Sequence, residues 1–136
     1  MTIQYRDATR NAKLDAIEST NGTSVALRLY SGAQPANCAA ANSGTLICTI
    51  LPPSDWMNAA ATGSKTKLGT WSVAASGSAT AGHFRFYNSQ ATLDGTTCFM
   101  QGSVGQGSGD LSLDNSVITS GQTVTINTFT INDNNP

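Results

Sequence analysis

The stretch from Gly82 to Val104 constrains the fold more than any other. It reads Gly-His-Phe-Arg-Phe-Tyr, then a polar loop closing on Leu-Asp-Gly-Thr, then Thr-Cys-Phe-Met-Gln-Gly-Ser-Val. Side chains two apart on a strand share a face. Phe84 and Phe86 therefore face one way, and His83, Arg85 and Tyr87 the other. Beyond the loop, Cys98, Met100 and Val104 alternate against Thr97, Gln101 and Ser103. Phe99 lands on the polar side and is the one misfit. Asp94-Gly95 offers the positive-φ chemistry of a turn between antiparallel strands. The expectation is a hairpin with one buried face, which the rest of the chain must cover.

The chain that has to do this is 136 residues long, enough for one domain with a single core and no staples. It carries seven basic and eight acidic residues, for a net charge of −1. Gly, Ser, Thr, Asn and Ala separate short β-branched runs, a composition that suits an all-β domain rich in turns. No apolar run approaches the roughly 20 residues that span a bilayer. The opening Met-Thr-Ile-Gln-Tyr-Arg-Asp lacks the apolar core of a secretory signal. The expectation is a protein made in a cytosol with no membrane partner. The basic residues are scattered, with only Lys65 and Lys67 close together, so no nucleic-acid partner is expected either.

One helix is expected, from Asp7 to about Thr20. No Gly or Pro interrupts it, and Ala, Lys, Leu, Arg and Glu favour it. Asp7 can cap its start, and Asn21-Gly22 can end it in a left-handed turn. Its apolar face is thin: Leu14 and Ile17 make one i,i+3 pair, while Ala8, Ala12 and Ala16 line a different side. Such a helix does not hold itself in water. Residues 1–22 thus read as a helical arm that either packs across a sheet edge or docks on a neighbouring subunit.

Residues 23–136 read as the β domain. Val25, Leu27 and Leu29 alternate with Ala26, Arg28 and Tyr30, giving a strand with one wet face. Ser31 to Ser43 is a loop of small residues. Thr45 to Leu51 is a more apolar strand, ended by Pro52-Pro53. Ser54-Asp55-Trp56-Met57 reads as a capped helical turn anchored by Trp56, and Gly63 to Lys67 as a solvated loop. Trp71 and Val73 mark another strand. After the central hairpin come Leu111 and Leu113, Val117-Ile118, and the long run Thr123 to Ile131. In that run Val124 and Ile126 share one face while Phe129 and Ile131 share the other. One continuous strand cannot do this in one environment, so either a bulge near Asn127-Thr128 resets the register or one end packs on a second surface. About eight strands with polar turns favour an all-β, two-sheet β-sandwich, with jelly-roll winding first.

The residues offer little chemistry. His83 is the only histidine and sits on the polar face beside Arg85, where a surface role is expected. Cys38, Cys48 and Cys98 have no Cys-x-x-Cys spacing. Reduced, partly buried thiols are expected, with a Cys38–Cys48 bridge as the competing reading. Asp110 and Asp114 lie in a Gly/Asp-rich stretch that invites a calcium reading, but the pattern occurs once and does not have EF-hand spacing. No catalytic, cofactor-binding or metal-ligating residue is expected. A sandwich leaves edge strands that seek another chain. The thin helix face, the slipped run after Thr123 and the outward Phe99 leave apolar side chains for a partner. Leu14, Ile17, Phe99, Phe129 and Ile131 are therefore the candidate interface residues.

Several segments carry a resemblance. They are Arg10-Asn-Ala-Lys-Leu-Asp-Ala-Ile-Glu18, Tyr30-Ser-Gly-Ala-Gln-Pro-Ala-Asn-Cys38, Phe84-Arg-Phe-Tyr-Asn-Ser89, Met100-Gln-Gly-Ser-Val104, Asp110-Leu-Ser-Leu-Asp-Asn115 and Gly121-Gln-Thr-Val-Thr-Ile-Asn-Thr-Phe-Thr130. Together they resemble a family of short proteins encoded among the head and tail genes of tailed bacteriophages and prophages. In size and expected architecture the chain is also similar to jelly-roll cement proteins of phage capsids. The resemblance implies a structural virion protein without enzymatic activity or cofactor. It implies a capsid cement or decoration subunit on the head exterior, assembled in the bacterial cytoplasm. Its partners would be the major capsid protein and copies of itself, as a homodimer ahead of a homotrimer. A neck or tail component, or a receptor- or sugar-binding module, are the other readings. On the arm reading, deleting residues 1–20 is expected to weaken attachment more than folding.

Overall fold

The computed structural model describes residues Thr2–Asn135. It begins with helix α1, Asp7–Asn21, followed by nine strands: β1 Ala26–Ser31, β2 Leu46–Ile50, β3 Ser64–Thr66, β4 Ser72–Ala74, β5 Ala79–Tyr87, β6 Cys98–Gln106, β7 Leu111–Leu113, β8 Val117–Ile118 and β9 Thr123–Asn132. The helix ends where expected, with Gly22 at φ 78° and its N–H donating to the Glu18 carbonyl. Its start differs. Arg6 is the N-cap and offers no side-chain cap. Asp7 sits inside the first turn, where its charge favours the helix N-terminus and accepts from Arg10 Nη1 at 2.9 Å. No helix among the described residues is long and apolar enough to cross a membrane.

The strands form one curled, mixed sheet in the order β2-β1-β5-β6-β7-β9-β3, with β4 also on β9 and β8 on β5. All pairs are antiparallel except β6 with β7. The curl nearly closes. The chain leaving β4 returns to β2, where the Ser76 and Gly77 N–H groups both donate to the Ile47 carbonyl. The inner face is thereby turned on itself, and Phe84 and Phe86 of β5 meet Phe129 of β9 at centroid distances of 5.6 and 5.3 Å.

Phe86 is the hub of this core. Its ring lies within 6 Å of Trp56, Trp71, Phe84, Phe99 and Phe129, in the tilted and edge-on arrangements that aromatic quadrupoles favour. Val25, Leu27, Leu29, Ile47, Ile50, Leu111, Leu113, Val124 and Ile126 fill the space around it. Trp56 anchors its segment as expected, fully buried. However, Ser54–Met57 forms no helical turn: Met57 makes an isolated bridge to Lys67.

Single inserted residues set which side chains reach the core. In the β7–β9 pair, Ser112 faces Thr128 and Leu113 faces Ile126, leaving Asn127 as the extra residue. This is the expected bulge, and it puts Val124, Ile126 and Phe129 on one buried face, with Ile131 packed at its margin. A second bulge changes the reading of β6. Phe86 faces Met100 while Tyr87 faces Cys98, so Phe99 is the extra residue there. The bulge turns Phe99 inward onto Trp56 and Phe86 and moves Cys98 to the opposite face. Phe99 is thus not the outward misfit of a regular strand.

The loop joining β5 to β6 also departs from expectation. Gly95 does not adopt a positive φ. The turn is made by Asp94, whose carboxylate accepts from the Thr96 N–H at 2.8 Å and the Thr96 hydroxyl at 2.6 Å, an Asx turn. Glycine is needed at 95 for closeness instead, since a Cβ there would overlap the Ala39 carbonyl oxygen.

Phe86→Ala is expected to cost about 3–5 kcal/mol of stability in urea unfolding. Val117→Ala, at a side chain 63% exposed, should stay within about 0.5 kcal/mol of wild type.

Candidate functional site

The face of β5 expected to meet solvent is closed. His83, Arg85 and Tyr87 are as buried as Phe84 and Phe86, because the Gly32–Ser43 loop folds over them. The loop has few side chains large enough to cover anything. It is held by its carbonyls, and the strand supplies the donors. Arg85 Nη2 donates to the Cys38 carbonyl at 2.6 Å and the Ala40 carbonyl at 3.1 Å, while Nη1 donates to Asn42 Oδ1 at 2.7 Å. Tyr87 donates its hydroxyl to the same Asn42 oxygen at 2.7 Å and pairs with the Tyr30 hydroxyl at 2.9 Å. His83 Nδ1 lies 2.9 Å from the Gly32 carbonyl, and its ring stacks on Tyr30. Gln101, facing Arg85 across the sheet, donates to the Pro35 carbonyl at 2.7 Å.

This arrangement neutralises the Arg85 charge with dipoles rather than with a carboxylate. A planar guanidinium can serve three acceptors at once, which an ammonium on a flexible stem does poorly. The Tyr87 phenol is pushed well above its ordinary range, first by burial and then by the Tyr30 hydroxyl. It is therefore a hydrogen-bond donor here and not a base. His83 Nδ1, Arg85 and Tyr87 are turned onto backbone and amide oxygens beneath the loop, while His83 Nε2 is buried without a partner.

The three cysteines are free thiols, and the Cys38–Cys48 bridge is not made. Cys48 is buried opposite Leu29, and burial pushes its thiol up to about 11. Cys38 instead lies against Cys98. Burial first, then the neighbouring Cys98 thiol, raises the Cys38 thiol to about 11.

A second polar site lies between α1 and the Asp55–Leu68 segment. It is an open depression of about 480 Å³ lined by Asp15, Glu18, Asp55, Asn58 and Lys65 among others. The segment expected as a solvated loop, Gly63 to Lys67, contains β3, and Lys65 is only 2% exposed. The ammonium contacts Asp15 Oδ1 at 2.7 Å, Glu18 Oε2 at 3.0 Å and the Asn58 carbonyl at 2.9 Å. Burial alone would lower the Lys65 pKa, but the Asp15 and Glu18 carboxylates outweigh it and the net shift is upward. Asp15 is lowered in turn by the Lys65 ammonium and by the Ala60 N–H. Paired acids in a cleft can hydrolyse glycosides when one is raised to act as general acid. Asp15 moves the opposite way.

These contacts hold the helix to its own domain. Asn11 accepts from the Gly63 N–H, Asp15 from Ala60, and Glu18 from Met57. Leu14 is buried. Two of the candidate interface residues are largely taken up by the core: Leu14 and Phe129 are 4% and 3% exposed within a single chain, which leaves little of either for a partner. Ile17, Phe99 and Ile131 are partly buried against the same core. Deleting residues 1–20, expected to weaken attachment more than folding, would remove Leu14 from the core and both carboxylates from Lys65. His83 is corrected from a surface residue to a buried one.

Asp110 and Asp114 are each engaged at home. Asp110 Oδ2 accepts from the Ser103 N–H and hydroxyl, both at 2.8 Å, which holds its carboxyl below the ordinary range. Asp114 accepts from Asn115 at 2.9 Å and Thr125 at 3.3 Å. Among the described residues no group of three or more His, Cys, Asp or Glu comes together to hold a metal ion. Among the described residues, the large apolar side chains left well exposed are Ile3, Tyr5, Leu51 and Val117. No family model, curated protein or solved structure matches the chain.

Two measurements probe these sites. Arg85→Met should leave the Cys38 and Ala40 carbonyls unsatisfied and cost roughly 2–4 kcal/mol. Hydrogen exchange should rise first in residues 32–44, and Arg85→Lys should not restore protection. For Asp15, the folded pKa lies below the ordinary 3.8. Its contribution is thus complete above 3.8 and lost as pH falls through the folded value. Thermal unfolding followed against pH should show an acid-side decline that Asp15→Asn makes shallower. It should not vanish, because Asp110 shifts in the same direction.

Proposed function

We propose that the protein is a structural subunit of a tailed-phage virion, a cement or decoration protein on the head exterior that meets the major capsid protein and copies of itself. The resemblance of its segments to head and tail gene products supports the class. The observation that carries the mode of attachment is the segment Thr2–Arg6. It has no regular secondary structure, precedes a helix that is already spent on its own domain, and leaves Ile3 67% and Tyr5 44% exposed. Tyr5 is fixed by a reciprocal pair with Asn135, N–H to Oδ1 and Nδ2 to C=O, both at 2.9 Å, and by Lys13 over its ring. The segment thus presents Ile3 and Tyr5 to a neighbour from a position fixed by Asn135 and Lys13.

In this reading the curled sheet is a jelly-roll-like sandwich whose layers meet at Phe86 and Phe129, with the parallel β6–β7 pair as its departure from regular winding. Each arm contact is small. Copies on a closed lattice reinforce one another, because an engaged subunit holds its neighbours at high effective concentration. With near-neutral charge, attachment rests on shape and apolar area and should depend weakly on salt. A homodimer is favoured over a homotrimer. A neck or tail position is the second reading, and the copy number separates the two.

Quantifying the protein in purified virions should give hundreds of copies, and particles lacking it should lose integrity earlier under heat and osmotic shock. Ile3→Ser with Tyr5→Ser should strip the protein from particles while leaving its unfolding temperature unchanged. Six or twelve copies per particle would move it to the neck or tail. Cell-wall cleavage by the purified protein, or unchanged retention of the double variant, would overturn the assignment.

A further inference from the structure

The Phe99 bulge has a chemical consequence. In a regular strand Cys98 would share the core face with Met100. With Phe99 inserted, Cys98 becomes the cross-strand partner of Tyr87 and points to the face covered by the Gly32–Ser43 loop. The loop brings Cys38 to the same place. Arg85, two residues along β5, grips the Cys38 carbonyl. Asn42 Nδ2 donates to the Leu93 carbonyl at 2.8 Å. The Ala39 and Ala40 carbonyls pack against Gly95, three residues before Cys98, where any Cβ would collide. The Cys38 and Cys98 side chains are thereby neighbours on this face, with Cys98 Sγ donating to the Met100 carbonyl at 3.6 Å, and both residues are partly exposed, whereas Cys48 is buried.

We propose that Cys38 and Cys98 are a redox-closable pair, which a small-molecule disulfide oxidises to an intramolecular bridge fastening the Gly32–Ser43 loop to β6. The step balances through thiol–disulfide exchange. One cysteine thiolate attacks a sulfur of the reagent, its S–S bond breaks, and one thiol leaves with a proton. The second cysteine thiolate then attacks the mixed disulfide, forming the Cys38–Cys98 bond and releasing the second thiol. Two electrons pass to the reagent and two protons leave the protein. The bridge closes a long loop over the buried Arg85 cluster, so it restrains the unfolded chain and locks the loop whose carbonyls Arg85 holds. It does not depend on a virion role. Reduced protein could meet such an oxidant on leaving a reducing compartment.

The test is incubation of the folded, reduced chain with glutathione disulfide, followed by acid quench, intact mass and peptide mapping. The expected product has lost two hydrogens, carries no glutathione, and links the Cys38 peptide to the Cys98 peptide. Cys48 should be alkylated only after unfolding. Cys48→Ser should bridge as wild type does. Cys38→Ser should not bridge and should leave Cys98 with a single glutathione. The bridge should raise the unfolding temperature on the order of 5–10 °C, reversed by dithiothreitol. Because the Cys38 thiol is raised, closure should quicken as pH rises from neutral. Separate glutathione adducts on Cys38 and Cys98, a bridge involving Cys48, or no reaction in folded protein under conditions where unfolded protein reacts would each overturn the proposal.

Discussion

Strand β5 is buried on both faces, and the two faces are held by opposite physics. Toward the core, Phe86 gathers five other aromatic rings. One residue earlier, Arg85 gathers three oxygen acceptors from a loop that contributes almost no apolar surface. Burying an arginine without a carboxylate is costly unless its donors are met. Here Nη1 and Nη2 are met, chiefly by backbone carbonyls, which the loop has in quantity and would otherwise have to hide or hydrate, while Nε is buried without a partner. The strand's cation and the loop's carbonyls each satisfy the other. The loop can therefore be built of Gly, Ala, Ser and Asn and still adopt one conformation. The Asn42 side chain, which accepts from both Arg85 and Tyr87, ties the two ends of this network together.

Much of the inner face was legible in the sequence because apolar alternation reports it directly. Phe84, Phe86, Val25, Leu27, Leu29, Trp71, Val124 and Ile126 all lie in the core or buried against it. The bulge in β9 was legible too, since four apolar residues on alternating sides of one strand contradict each other unless a residue is inserted. The bulge in β6 was hidden. There the conflict involved only Phe99, and one exposed aromatic is ordinary on a protein surface. The consequence was a wrong face for Cys98, and with it the wrong cysteine partner for Cys38. A one-residue insertion flips every side chain beyond it, so a missed bulge misplaces chemistry as well as packing.

The buried polar face was illegible for another reason. A strand that alternates Phe with His, Arg and Tyr reads as half-wet, and nothing local says that a loop fifty residues earlier will cover it. The same holds for Lys65. Ser-Lys-Thr between a glycine and another lysine has the composition of a solvated turn, and only the helix's Asp15 and Glu18, from the far end of the chain order, make its burial affordable. Those two carboxylates, three apart and one step from Leu14, do mark a mixed helix face that seeks a cation. The sequence carries the acid side of that contact but not the identity of the lysine.

These intrachain contacts change where a partner can bind. The thin apolar stripe of α1 was insufficient for a free helix, and the structure resolves this within one chain: Leu14 goes into the core, and Asp15, Glu18 and Asn11 clamp the β3 segment. Phe99 and Phe129 are consumed by the core in the same way. For the proposed virion role, an attachment device would have to come from what folding leaves over. The sheet's own edges offer little, because β2 is met by Ser76 and Gly77, β3 is met by Asn58, and β8 is two residues long. Short or covered edges resist indiscriminate pairing. The Thr2–Arg6 segment differs from them in leaving Ile3 and Tyr5 exposed. In the proposed virion role, guarded edges with exposed Ile3 and Tyr5 would let a subunit select its neighbour through that segment, allowing repeated assembly on a lattice without open-ended aggregation.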